Sequence, residues 1–464
     1  MGNYNTKYLF MISLVSAMGG LLFGYDWVVI GGAKPFYEPF FGIVDQPAMQ
    51  GWAMSSALLG CLAGALMTGV FSDRYGRKKM LIIAAALFVA SAVGTGGAHA
   101  FSWFSIWRIL GGFAIGIASN LSPMYIAEIS PAHIRGRLVS LNQMTIVLGI
   151  LAAQIANWLL AEPVAANAAA ETIRESWNGQ MGWRWMFWAE NVPAMLFFFF
   201  AFIIPESPRW LAVKGRKEES IAIMSRIIGR GAAEREYTEM SRSIAAGERM
   251  EKGSERRMIL QPSMRRVLII GIVLAVFQQW CGINVIFNYA QEIFTAAGYG
   301  VSDILMNIVV TGVTNVVFTL LAMSLVDRIG RRPLLLIGAG GLTAIYCLMG
   351  AAYYFHLTGV SLLVIVVAAI ACYAMSLAPI MWVVISEIFP NAVRGAAMSI
   401  ATFCLWSACF ILTYTFPLLN NALGAAGTFW IYGAICLAGF LFIRRYVPET
   451  QNKSLEEIEK ELIK

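Results

Sequence analysis

The run Phe277-Gln278-Gln279-Trp280-Cys281-Gly282-Ile283-Asn284 decides how the chain is read. Three side-chain carboxamides lie inside an apolar stretch that begins near Val267 and reaches about Tyr289, long enough to cross a bilayer. A carboxamide carries two donors and an acceptor, and hydrocarbon satisfies none of them. These groups must therefore face protein, water or a polar ligand. On an unbroken helix, Gln279 and Asn284 would point about 140° apart. Gly282 lies between them and is a place for the helix to break and bring the two sets together. Interrupted helices near the midplane are how transporters build binding sites. Interhelical hydrogen bonding also places Asn and Gln in membranes and is the commoner reading of an isolated amide. Three amides beside a glycine favour a site for a neutral, hydroxyl-rich solute.

Composition agrees with a membrane setting. Of 464 residues, 58% are hydrophobic and 13% charged. Soluble domains average about 25% charged residues. The chain is therefore read as an all-α polytopic membrane protein. Twelve spans are expected near 8–32, 52–71, 80–98, 101–127, 138–161, 183–204, 265–289, 303–326, 333–355, 360–387, 395–417 and 427–446. The net charge of +7 is read as loop bias, not as affinity for nucleic acid. Basic residues gather in alternate loops, as Arg74, Arg77, Lys78, Lys79, Arg135, Arg137, Arg328, Arg331, Arg332 and Arg394. The opposite loops carry few, mainly Lys34 and Arg174. The positive-inside rule then places both termini in the cytoplasm, with no cleavable signal.

The seven cysteines all fall in apolar spans without metal-ligand spacing, so no disulfide framework, metal or cofactor is expected. No nucleophile–base set or phosphate loop is visible, and His99, His133 and His356 are scattered near span ends. An enzyme is not expected. Segment 205–264 mixes charge with Ile and Met at helical spacing and reads as short amphipathic helices. Ser454 followed by Glu457 reads as the capping box of a last short helix.

The halves repeat. Asp73-Arg74-Tyr75-Gly76-Arg77 matches Asp327-Arg328-Ile329-Gly330-Arg331. Glu128 with Arg135-Gly136 matches Glu387 with Arg394-Gly395, and Pro205-Glu206-Ser207 matches Pro448-Glu449-Thr450. The order is kept and the offsets are similar. Two pseudo-twofold six-helix bundles follow, with a cavity between them. The expected units are an N-terminal bundle over 1–204, a linker over 205–264, a C-terminal bundle over 265–446 and a tail over 447–464.

These motifs, with Gly24-Tyr25-Asp26, Pro123-Met124-Tyr125-Ile126-Ala127-Glu128, Pro205-Glu206-Ser207-Pro208-Arg209-Trp210 and Ser386-Glu387-Ile388-Phe389-Pro390, make the chain similar to the sugar porters of the major facilitator superfamily. The resemblance spans nearly the whole sequence. It implies proton-coupled symport of a monosaccharide, a pentose or hexose such as xylose or glucose, across the inner membrane by alternating access. The alternatives are an uncoupled facilitator and, from another class, a sugar receptor that does not transport. Nothing requires more than a monomer.

Asp26, deep in the first span, is a functional-site candidate on its own, because an intramembrane carboxylate is costly. Arg108 in the fourth span is its expected partner, and protonation of Asp26 would release it. The resemblance supports this, since proton symporters of the family carry aspartate there and uniporters asparagine. A static buried ion pair is the competing reading. Glu190 is expected to act indirectly in the same coupling. For the sugar, the resemblance implies Gln143, Gln278, Gln279, Asn284, Asn315, Trp382 and Trp406, with Phe23 in the same cavity and Asn288 where the family has Tyr. Leu405 and Ala378 also depart from the family's pattern, and Ile150 matches the family's glucose facilitators, which leaves the sugar's identity open. A cytoplasmic gate is implied for Asp73, Arg74, Arg77, Glu128, Arg135, Glu206, Arg209, Asp327, Arg328, Arg331, Glu387, Arg394 and Glu449.

Overall fold

A computed structural model describes residues 5–131, 134–165, 168–248, 261–389 and 394–450. The Ser454–Glu457 cap lies outside them, as do the side chains of Asp327, Arg328 and Arg394. The described residues contain helices and no strand, as hydrocarbon demands of a chain that must satisfy its own backbone.

The first half comprises α1 (Thr6–Phe41), α2 (Pro47–Tyr75), α3 (Arg77–Gly97), α4 (Phe101–Ile129) and α5 (Arg135–Leu160). A short α6 (Ala170–Glu175) follows, and then a sixth span in two pieces, α7 (Trp183–Ala189) and α8 (Asn191–Ala201). Pro193 has no N–H for the Ala189 carbonyl, so the helical ladder lapses at Glu190. The linker forms α9 (Pro208–Val213), α10 (Lys217–Ile228) and α11 (Arg230–Glu248). The second half comprises α12 (Pro262–Trp280), α13 (Ile283–Asn288), α14 (Ala290–Ala296), α15 (Val301–Ile329), α16 (Arg331–Tyr354), α17 (Val360–Met375), α18 (Leu377–Ile388) and α19 (Arg394–Tyr446). Gly424, at φ 67°, divides α19 into two spans. Ten described helices or joined helix pairs are long and apolar enough to cross a membrane. With α19 counted twice and α7–α8 as one, the spans number twelve.

The repeat in sequence is a repeat in structure. Gly76 and Gly330 adopt φ 98° and 96° with ψ 165° and 160°, a region open essentially to glycine alone. Each lets a carboxylate cap the helix that follows. Glu206 accepts from the Arg77 and Lys78 amides at 2.8 and 3.1 Å. Glu449 accepts from the Arg331 and Arg332 amides at 3.0 and 3.1 Å. A carboxylate satisfies amides that a helix start leaves unpaired and complements the helix dipole. These caps, with Arg74 and Arg135, mark one end of the molecule, the basic face.

The halves touch along three pairings, α2 with α19, α5 with α15, and α1 with α13 and α14. Close contacts between the halves are found toward the end opposite the basic face. There the backbone of Gly51 lies against the Tyr414 carbonyl, and Gly312 against the Gln154 amide. The Val164 amide donates to Ser302 Oγ at 3.0 Å. Side chains turned away from both halves, such as Phe199, Ile203, Val364 and Leu441, are exposed and apolar, as a lipid-facing surface requires.

One expectation fails here. Lys34 was expected in a loop, but α1 runs on to Phe41 and buries it. Pro35 and Pro39 lie inside the helix; each removes a single amide and the helix continues around them.

Candidate functional site

Two faces of α1 carry the site. Phe23 and Trp27 are four residues apart and share a side of the helix, while Asp26 is turned about 100° from Trp27. Phe23 and Trp27 look across to the second half. Their rings lie 6.1 and 6.0 Å from that of Trp406 on α19, and 6.0 Å from each other. Phe23 and Trp27 are half-buried, whereas Trp406 is buried.

Asp26 points the other way, into the first half. It is ion-paired with Arg108 on α4, and both side chains are about 2% exposed. Arg108 Nη2 also donates to the Asp26 carbonyl at 3.2 Å, and its guanidinium lies 5.6 Å from the Phe187 ring centre. A Cβ at Gly111 would meet Asp26 Oδ2 at 2.8 Å, so only glycine leaves the carboxylate its room. Asp26 Oδ2 and Arg108 Nε have no hydrogen-bond partner. Glu190 is buried within electrostatic reach of both, and its Oε1 is also unpartnered. Three ionisable groups, each with a buried side-chain atom that lacks a hydrogen-bond partner, thus lie together inside the first half.

The broken helix forms where Gly282 allowed it. Gly282 is left-handed, at φ 84°, between α12 and α13. Asn284 turns back and donates to Gln279 Oε1, and its Nδ2 also lies 3.6 Å from Cys409 Sγ, three residues beyond Trp406. The amides and the aromatic cluster therefore adjoin. Gln278 Oε1 and Asn288 Oδ1 are buried without partners. Asn315 is buried on α15 in one row with Thr311 and Thr319. Gln143 on α5 and Trp382 on α18 are half-buried. No described contact joins Gln143, Asn315 or Trp382 to the Phe23–Trp406 cluster.

At the basic face, among the described residues, Arg77 and Arg331 each pair with a carboxylate of their own half. Arg77 bridges Glu128 at 3.0 Å and Asp73 at 2.9 Å, and Arg331 lies 3.7 Å from Glu387. Arg74 lies 5.3 Å from the Tyr75 ring centre, Arg135 Nη2 is 3.4 Å from the Ser130 carbonyl, and Arg209 is exposed. Glu206 and Glu449 cap helices as described above.

Trp27 and Glu292 were absent from the sequence-based site. The spacing of Trp27 from Phe23 could have revealed it. Glu292, against Lys34, is legible only in three dimensions.

The comparisons agree with this fold. A family profile described as "Sugar (and other) transporter" matches residues 12–462. The chain belongs to that family. It is 38% identical to the D-xylose-proton symporter of Escherichia coli K12, over 98% of this chain and 96% of that protein. It is also 38% identical to the arabinose-proton symporter of Bacillus subtilis 168, over 100% and 97%. Among solved structures, the inward open conformation of the xylose transporter XylE from E. coli matches with a TM-score of 0.85 at 36% identity, over 98% of this chain and 99% of that one. The XylE structure bound to 6-bromo-6-deoxy-D-glucose matches with a TM-score of 0.81 at 38% identity, over 99% and 100%. The chain is a multi-pass membrane transporter of the major facilitator fold, not an enzyme.

Proposed function

We propose that the chain carries a monosaccharide together with a proton into the cell across the inner membrane, by alternating access. The observation that carries this is the division of labour on α1. One face holds the Asp26–Arg108 pair, and the other presents Phe23 and Trp27 to Trp406 in the opposite half. A change in one is a change in the tilt of the other.

Carboxamides bond sugar hydroxyls in both directions without charge, and indole faces pack against the apolar C–H face of a pyranose. Gln143, Gln278, Gln279, Asn284, Asn288, Asn315, Trp382 and Trp406 take these roles, joined by Phe23 and Trp27. Protonation of Asp26 releases Arg108, which can turn to Glu190. The moving bodies are 1–204 and 265–446, with 205–264 as linker and 447–464 as tail. The basic face is cytoplasmic by the positive-inside rule, and so are both termini. The close contacts between halves toward the far end support a state open to the cytoplasm. The gate charges at the basic face, among which Arg77 and Arg331 pair within their own halves, exchange partners across the halves when that end closes.

The uncoupled facilitator is the second reading, and Asp26 speaks against it. Names of relatives include both pentoses, xylose and arabinose. The departures at Asn288, Leu405, Ala378 and Ile150 alter which hydroxyls find partners, so a competition panel of pentoses and hexoses against labelled xylose reads the preference. Binding is tested by calorimetry on purified protein. Gln279→Ala and Asn284→Ala are expected to abolish sugar binding while the protein still accumulates in the membrane. Unchanged affinity in both moves the site elsewhere.

A further inference from the structure

Lys34 is a lysine buried inside a membrane helix, 2% exposed, and the coupling pair makes no use of it. It sits two turns beyond Asp26 toward the closed end. It bonds Glu292 on α14, in the other half, and lies 3.0 Å from Glu38 on its own helix. Gln50 from α2 donates to Glu38 at 3.3 Å. The ammonium also lies 5.6 Å from the Tyr289 ring centre. One turn nearer the membrane centre, Gly31 lies against the carbonyls of Phe287 and Asn288, each 3.1 Å from where a Cβ would stand. The backbone of α1 thus meets the second half where the ion cluster closes over it. α14 is a seven-residue piece set off by Tyr289, whose φ of −120° and ψ of 29° leave the helical region. It is an element that can move apart from α12.

We propose that Lys34, Glu38 and Glu292 form a latch that holds the outer end shut while the cavity faces the cytoplasm. The two carboxylates have different jobs. Glu292 is the catch, because its bond with Lys34 joins the halves and must break for the outer end to open. Glu38 is the keeper, because it travels with Lys34 on α1 and supplies a counter-charge once Glu292 has left. Without a keeper the open state would strand a lysine in a low-dielectric crevice. A static brace would need no such asymmetry. Lys34 and Glu292 are positioning residues; neither is placed on the sugar.

The proposal rests on alternating access but not on which solute is carried. It is tested by hydrogen–deuterium exchange of the full-length protein in nanodiscs, read on residues 27–42 and 283–299 at the outer end. Glu292→Gln is expected to raise deuterium uptake in both segments several-fold. Glu38→Gln is expected to lower it and to slow sugar exchange, since opening then leaves Lys34 alone. The swap K34E/E292K keeps one lysine between two carboxylates and is expected to return uptake toward the native level, whereas K34E alone does not. Shifts of the same sign in E292Q and E38Q, no shift in E292Q, or a swap no better than K34E would each overturn the latch. Should the native protein fail to move sugar while these opposite shifts persist, the functional reading falls and the latch stands.

Discussion

Asp26 and Trp27 are neighbours in sequence and do unlike things, because one step of a helix turns a side chain by about 100°. Asp26 is held by Arg108, buried on every side. Asp26→Asn keeps the shape and removes the titratable charge. It is expected to lose gradient-driven accumulation while sugar exchange between equal concentrations continues, as counterflow in proteoliposomes would show. Arg108→Ala leaves the carboxylate unpaired and is expected to cost about 3–5 kcal/mol, seen as a large loss of thermal stability. Trp27→Ala is expected to weaken sugar binding by about 1 kcal/mol, roughly fivefold in Kd by calorimetry, with Trp27→Phe retaining most of the affinity. Asp26 was legible because charge inside an apolar run has few innocent explanations. Trp27 was not, because a tryptophan in a membrane helix has many.

At the scale of elements, what could be read was whatever depends on local backbone chemistry. Gly282 between amides announced a broken helix, and the break is there. The paired Gly76 and Gly330 motifs announced a repeat, but not its reason, which is a carboxylate from far along the chain capping the helix that follows, at Gly76 seated where a Cβ would stand. Gly76→Ala forces an unfavourable φ and displaces Glu206. It is expected to destabilise the protein by about 1–3 kcal/mol, measurable as a lower melting temperature in detergent. Glu206→Gln weakens the same cap without strain and should lower it less. α1 runs nine residues past the expected end of the first span at 32, through Pro35 and Pro39, because a long helix with packed neighbours tolerates them.

For the whole molecule, two halves and twelve spans followed from hydropathy and repeated motifs. Which end is closed did not, because it depends on contacts between halves. Some of these contacts press backbone on backbone, as at Gly51 against the Tyr414 carbonyl. Gly51→Val puts a side chain into that seam. It is expected to disfavour closure of the outer end, slowing net transport while sugar applied from outside still binds. Unimpaired transport would show that the seam does not control the switch. The basic-face charges were legible as a set, but their partners were not, since each arginine had several carboxylates in reach by sequence alone.

Uphill transport bears most directly on the whole account. Purified protein is reconstituted into liposomes, and labelled xylose, or the best competitor from the sugar panel, is supplied with or without an inward proton gradient. The account predicts accumulation above the outside concentration with the gradient, collapse on adding a protonophore, and no accumulation by Asp26→Asn. The same plateau with and without the gradient would contradict it.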